Sequence, residues 1–210
     1  QSQPFGSIYP YERSAALYTS TEIGGTGTIT TLEYNIATFG TTTLPVKIYL
    51  KTTTSSIITS STWSSYTTGA TLVYSGNLTF PSTGWKTITL TTPFNYTGNN
   101  LLVLVEANMG SINFGYPNTY YSSTTSKHGY WFANGAPPTG NCTVSNSRPN
   151  IRITYSNCTA ISSFPWSENF DALSSVGTDT YPSCWDEENG GWTSGNSASQ
   201  SSNDPRSFNN

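Results

Sequence analysis

His128 is the single histidine of the chain and its one side chain that ordinarily titrates near neutrality. It stands in Thr125-Ser126-Lys127-His128-Gly129-Tyr130, a turn-like stretch that predicts an exposed loop histidine. A Ser–His–acid triad needs the imidazole held by a buried carboxylate beside an activated hydroxyl. Residues 1–157 contain no Asp, and no Gly-x-Ser-x-Gly elbow occurs. Glu33 and Glu106 are the strand carboxylates that could flank a glycosidic bond as acid and base. Glu33 falls on the polar face of its strand, and Glu106 follows the apolar run Leu101–Val105, at the expected strand end. Surface or loop-anchoring roles fit both equally. Cys142, Cys158 and Cys184 lack a Cys-x-x-Cys spacing and, with one histidine, make a poor zinc set. This inventory points away from catalysis.

What remains is aromatic. Phe114, Tyr116, Tyr120, Tyr121, Tyr130, Trp131 and Phe132 crowd one tract, and Trp63 with Tyr66 forms a second patch in an expected loop. Rings displayed on a weakly charged surface suit the flat apolar faces of pyranose sugars. The same rings suit the core of a small sandwich, which needs large side chains. Both readings stay open, and the candidate ligand contacts are Tyr120, Tyr121, Tyr130, Trp131, Trp63 and Tyr66.

Strands must position these groups. Leu32, Tyr34 and Ile36 alternate with polar residues, as do Val46, Ile48 and Leu50, and Ile151, Ile153 and Tyr155. Period two with one apolar face is the signature of a half-buried strand. Leu101–Val105 is apolar throughout, which predicts a central strand buried on both faces. Further strands are expected at 14–20, 71–80, 84–92 and 112–116 and within 119–133, with a short helix or turn over Ser55–Tyr66. Eight or nine short strands punctuated by Gly, Asn and Pro predict an antiparallel β-sandwich of jelly-roll type.

Composition agrees. The chain has 35 Thr and 31 Ser among 210 residues, and only 9% charged residues, against roughly 25% in an average globular protein. Eight scattered Lys and Arg make no phosphate-tracking patch, and no apolar run is long enough to span a bilayer as a helix. Few Lys, many hydroxyls and one Met suit an exported protein, with Gln1 expected as a mature N-terminus. The apolar arm Gln1–Tyr11 is expected to dock on its own sandwich or on a partner. Residues 1–157 carry four Glu and seven Lys or Arg, a net of +3, whereas residues 158–210 carry seven acids and one Arg, a net of −6. That switch predicts a boundary near Ser156–Ser163 between a first domain, 1–157, and a second, 158–210.

Two resemblances add to this reading. Thr28–Ala107, with "GTITTLEYNI", "LPVKIYLKTT", "TLVYSGNLTF" and "GWKTITLTTPFNYTGNNLLVLVE", resembles a module of secreted bacterial surface proteins. Phe164, Pro165, Trp166, Glu168 and Phe170, followed by Pro182, Cys184 and Trp185, resemble the opening of a MAM-like, cleaved-adhesin (choice-of-anchor J) domain. The resemblance implies a second jelly roll of which 158–210 is the start. It implies a Cys158–Cys184 disulfide, with Cys142–Cys158 as the competing pair. It implies that any structural calcium would take Glu168 and Asp171 as ligands; no other cofactor is expected. By the same resemblance, such chains reach the surface of gliding Gram-negative bacteria through type IX secretion. The expected function is therefore a non-catalytic adhesin module that presents or spaces a surface for polysaccharide or another surface protein. The alternative is a substrate-targeting module of a secreted protease or polysaccharide hydrolase.

Overall fold

The computed structural model describes residues 3–6, 8–112 and 114–156, within the first of the two units into which the chain divides, Gln1–Ser156. Cys158, Cys184, Glu168, Asp171 and the MAM-like segment lie outside the described residues. In chain order the strands are β1 (Tyr11–Tyr18), β2 (Gly27–Thr38), β3 (Gly40–Thr53), β4 (Thr71–Phe80) and β5 (Gly84–Tyr96). They continue with β6 (Asn100–Asn108), β7 (Asn118–Thr119), β8 (Tyr121–Ala133), β9 (Thr143–Pro149) and β10 (Ile151–Ser156). Two short helices, α1 (Ser20–Ile23) and α2 (Trp63–Thr67), interrupt them.

The strands form two antiparallel sheets, one ordered β4-β3-β6-β1-β8-β9 and the other β10-β2-β5, with β7 pairing to the far end of β2. The all-β sandwich follows from the alternation. Leu44, Val46, Ile48 and Leu50 of β3 and Leu32, Tyr34 and Ile36 of β2 are buried in one core between the sheets. Each such aliphatic side chain contributes roughly 1.5–3 kcal/mol on burial.

β6 has no polar face along Leu101–Val105 because the six-stranded sheet is covered on both sides. Leu101, Val103 and Val105 enter the sandwich core. Leu102 and Leu104 enter a second cluster with Ala15, Leu17, Ile58, Trp63, Trp131 and Cys142. Ile58 and Trp63 belong to the β3–β4 connection, which lies over the outer face of the sheet as a flap. Within the expected Ser55–Tyr66 stretch the helix is α2, begun where the Thr62 side chain accepts from the Ser65 N–H.

Gly129 lets the flap approach β8. A Cβ there would stand 2.9 Å from Ile58 Cγ2 and 3.0 Å from Cys142 Sγ. Gly129→Ala should therefore destabilise the fold by about 1–3 kcal/mol through overpacking, read as a lower thermal midpoint. An unchanged midpoint would show that the flap is not held this closely.

The N-terminal arm docks on its own sandwich. Phe5 is fully buried, with ring centroids 4.8 Å from Tyr34 and 4.6 Å from Phe80. Thr119 Oγ1 donates to the Gln3 carbonyl at 2.7 Å, and the Gly110 N–H donates to the Pro10 carbonyl at 3.0 Å.

Two elements differ from expectation. No strand forms at 112–116; the described residues there belong to an irregular loop whose Gly115 carbonyl accepts from the Thr42 N–H at 3.1 Å. Gly40 packs so closely on Gly115 and Pro117 that no side chain fits between them. Conversely, β9 forms from Thr-Val-Ser-Asn-Ser-Arg-Pro, which shows no alternation of apolar residues; its pairing with β8 supplies the order.

Candidate functional site

The expected exposed histidine is a buried one. His128 lies on β8 opposite Ala16 with no exposed surface, and its Nε2 is 2.9 Å from Ser14 Oγ. Burial disfavours the charged imidazole and lowers its pKa to about 4, against the raising effect of a hydrogen bond to the Ser147 backbone. Ser14 is itself buried, so this Ser–His pair cannot meet a substrate and serves as a structural hydrogen bond.

The two strand carboxylates are kept apart. Glu33 alternates with Leu32 and Tyr34 and so faces outward from the β10-β2-β5 sheet. Glu106 is in phase with Leu102 and Leu104 on the outer face of the six-stranded sheet. Their faces lie on opposite sides of the sandwich, so they cannot flank one glycosidic bond. Glu106 is not at a strand end but inside β6, where Arg13 Nε donates to it at 2.8 Å and Arg13 Nη1 donates to the Pro138 carbonyl at 2.6 Å. Cys142 is a free thiol in the second core and donates to the Thr59 carbonyl at 3.3 Å. Among the described residues, no three His, Cys, Asp or Glu side chains converge on a metal position, and no helix is long and apolar enough to cross a membrane.

Trp63, Tyr66 and Trp131, expected as ring platforms, pack on one another instead. Trp131 is T-shaped against Trp63 at 5.4 Å and Tyr66 at 5.9 Å, and its Nε1–H donates to the Gly140 carbonyl at 3.0 Å. Both Trp rings are buried beneath the flap. Tyr130 is half-buried and stacks toward Phe132, on which Tyr9 of the arm lies at 4.2 Å. Tyr120 and Tyr121 remain exposed, at 54% and 52%.

Tyr120 joins a surface the aromatic count missed. Asn35 lies opposite Trp85 in the β2–β5 register, and the Tyr120 N–H donates to the Asn35 carbonyl at 2.8 Å. The neighbouring Thr119 and Ile36 are buried, so Tyr120, Asn35 and Trp85 cross the solvent face of this sheet as one row. Arg152, Glu33 and Thr87 form the next row, and Thr154, Thr31 and Thr89 the one after. Thr87 Oγ1 donates to Glu33 Oε1 at 2.8 Å, and the Arg152 guanidinium lies 4.0 Å over the Trp85 ring. The signal was local: Trp85 is in phase with Thr87 and Thr89, so it is a tryptophan on a polar face.

A cleft of about 570 Å³ opens from this face along β10, lined by Trp85, Glu33, Arg152, Asn150, Ser122 and Arg148. Its far wall is braced. Arg148 makes a two-armed ion pair with Glu22, at 2.9 and 2.7 Å, and stacks on Tyr18 at 4.5 Å. Arg148 holds the Glu22 carboxyl down to about 2, so the pair is charged throughout the neutral range. Glu22 also closes a capping box with Thr19 at the start of α1.

Glu12 is the other group that the sequence left unmarked. It is 1% exposed on the inner face of β1, accepts the Tyr9 N–H at 3.2 Å through Oε1, and among the described residues has no partner at Oε2. Burial pushes its pKa up to about 7 against that hydrogen bond. The arm passes so close that Gly6 has no room for a side chain beside the carboxyl. No family model, curated protein or solved structure matches this chain.

Proposed function

We propose that this protein is a non-catalytic carbohydrate-binding module that presents the outer face of its β10-β2-β5 sheet to a polysaccharide, as part of an extracellular bacterial adhesin. One observation carries the reading: Tyr120, Asn35 and Trp85 stand in a single row on a rigid sheet, beside an open polar cleft. Aromatic faces offer apolar area at low entropic cost. Asn35 and Thr87 supply convergent polar groups of the kind that orient a ligand in such sites. The hydroxyl-rich composition and scarcity of Lys support export, and the MAM-like pattern at 164–185 supports a place in a modular surface protein.

Glycan-array binding by the 210-residue chain tests it. The expected result is binding to at least one polysaccharide class and at least a tenfold loss in Trp85→Ala at unchanged thermal midpoint. Absence of glycan binding, or binding indifferent to Trp85, overturns the reading.

A further inference from the structure

We propose that the polysaccharide bound at this face is acidic, a uronic-acid polymer, and that Arg152 selects it by moving from the Trp85 ring to the sugar carboxylate. The inference rests on the reading above and names its ligand class. Arg152 is exposed on edge strand β10 and stacks 4.0 Å over Trp85. The ion pairs among the described residues are Arg13–Glu106 and Arg148–Glu22. Among the described residues, Arg152 thus has an aromatic partner and no carboxylate one.

The guanidinium and a pyranose compete for the same ring face. A neutral sugar that stacks on Trp85 forfeits the cation–π contact and returns only neutral hydroxyl acceptors to the displaced cation. A uronate returns a two-pronged, charge-assisted hydrogen bond, for which the planar guanidinium is shaped. Discrimination is the difference between these two outcomes. Glu33 lies opposite Arg152 in register and is a described acid placed to capture the freed guanidinium; Thr87 holds one of its oxygens toward β5.

Titration calorimetry of the 210-residue chain with polygalacturonate, a neutral galactan and a sulfated galactan tests this. The expected order is polygalacturonate at least tenfold tighter than the neutral polymer. Arg152→Gln should abolish that preference and leave neutral binding equal or tighter, because the ring is uncovered. Glu33→Gln should tighten uronate binding about two- to fivefold by removing the competitor. Equal, Trp85-dependent binding of neutral and acidic polymers would overturn the selection by Arg152 and leave the carbohydrate module standing. Binding of the sulfated polymer as tight as the uronate would overturn the carboxylate assignment. Loss of all Trp85-dependent binding would remove both.

Discussion

Trp131→Ala should destabilise the first domain by about 3–5 kcal/mol while leaving polysaccharide binding intact. The ring is buried at 3% exposure between Trp63, Tyr66 and the outer face of β8. Removing it opens a cavity beneath a flap that cannot collapse easily, because β8 is fixed between β1 and β9. The Gly140 carbonyl also loses its indole donor. For a domain of this size each kcal/mol moves the thermal midpoint by about 2–4 °C, so the expected fall is on the order of 10 °C. Binding survives because Trp131 and Trp85 lie on opposite sides of the sandwich. A stable Trp131→Ala variant that lost binding would return Trp131 to the role of ligand platform.

The second large effect is a hidden pH dependence. Glu12 is raised from 4.5 to about 7 in the folded protein, and His128 is lowered from 6.5 to about 4. Between pH 4.5 and 7 the folded state keeps a proton on Glu12 that the unfolded state releases, so stability falls as pH rises. Between pH 4 and 6.5 the unfolded state binds a proton at His128 that the folded state refuses, so stability rises with pH. Each shift corresponds to about 3 kcal/mol, and the two oppose each other over most of their range. The wild-type urea midpoint should therefore change little between pH 4.5 and 6.5. Glu12→Gln should expose the histidine alone, as a gain of about 3 kcal/mol from pH 4 to 6.5. His128→Gln should expose the carboxyl alone, as a loss of similar size from pH 4.5 to 7. Glu22, held down by Arg148 in the folded protein, adds stability that is lost as pH falls from 4.5 toward 2, so it touches this window only at its acid edge. Parallel pH profiles for wild type and both variants would show that neither group is buried as described.

Glu12 and His128 both lie on the inner face of the six-stranded sheet, sealed by different elements. Glu12 is sealed by the arm, through Gly6 and Tyr9, and His128 by its pairing with Ser14 between β1 and β9. Neither seal is visible in the flanking residues. His128 sits among Ser, Lys, Gly and Thr, which read as a turn, and only its register opposite Ala16 carries it inward. Glu12 follows the apolar arm on β1, and nothing beside it says that Phe5 will anchor that arm in the core.

The aromatic residues divide along the same line. Alternation determined that 32–36, 46–51 and 151–155 are strands, because period two is a property of neighbouring residues and a sheet needs nothing more to fix which side chains share a face. Leu101–Val105 was legible as doubly buried for the same reason. Whether a given outer face stays wet was decided by segments distant in sequence. The flap formed by the β3–β4 connection turned Trp63 and Trp131 into a second core. The face of β10-β2-β5 kept Trp85 accessible beside Tyr120, which arrives from a loop beyond β6. Amino-acid order therefore determined most of the strands, the sandwich and the two faces of each alternating strand. Tertiary structure alone decided which faces were covered and which residues became neighbours, because register and coverage join residues that the chain keeps far apart.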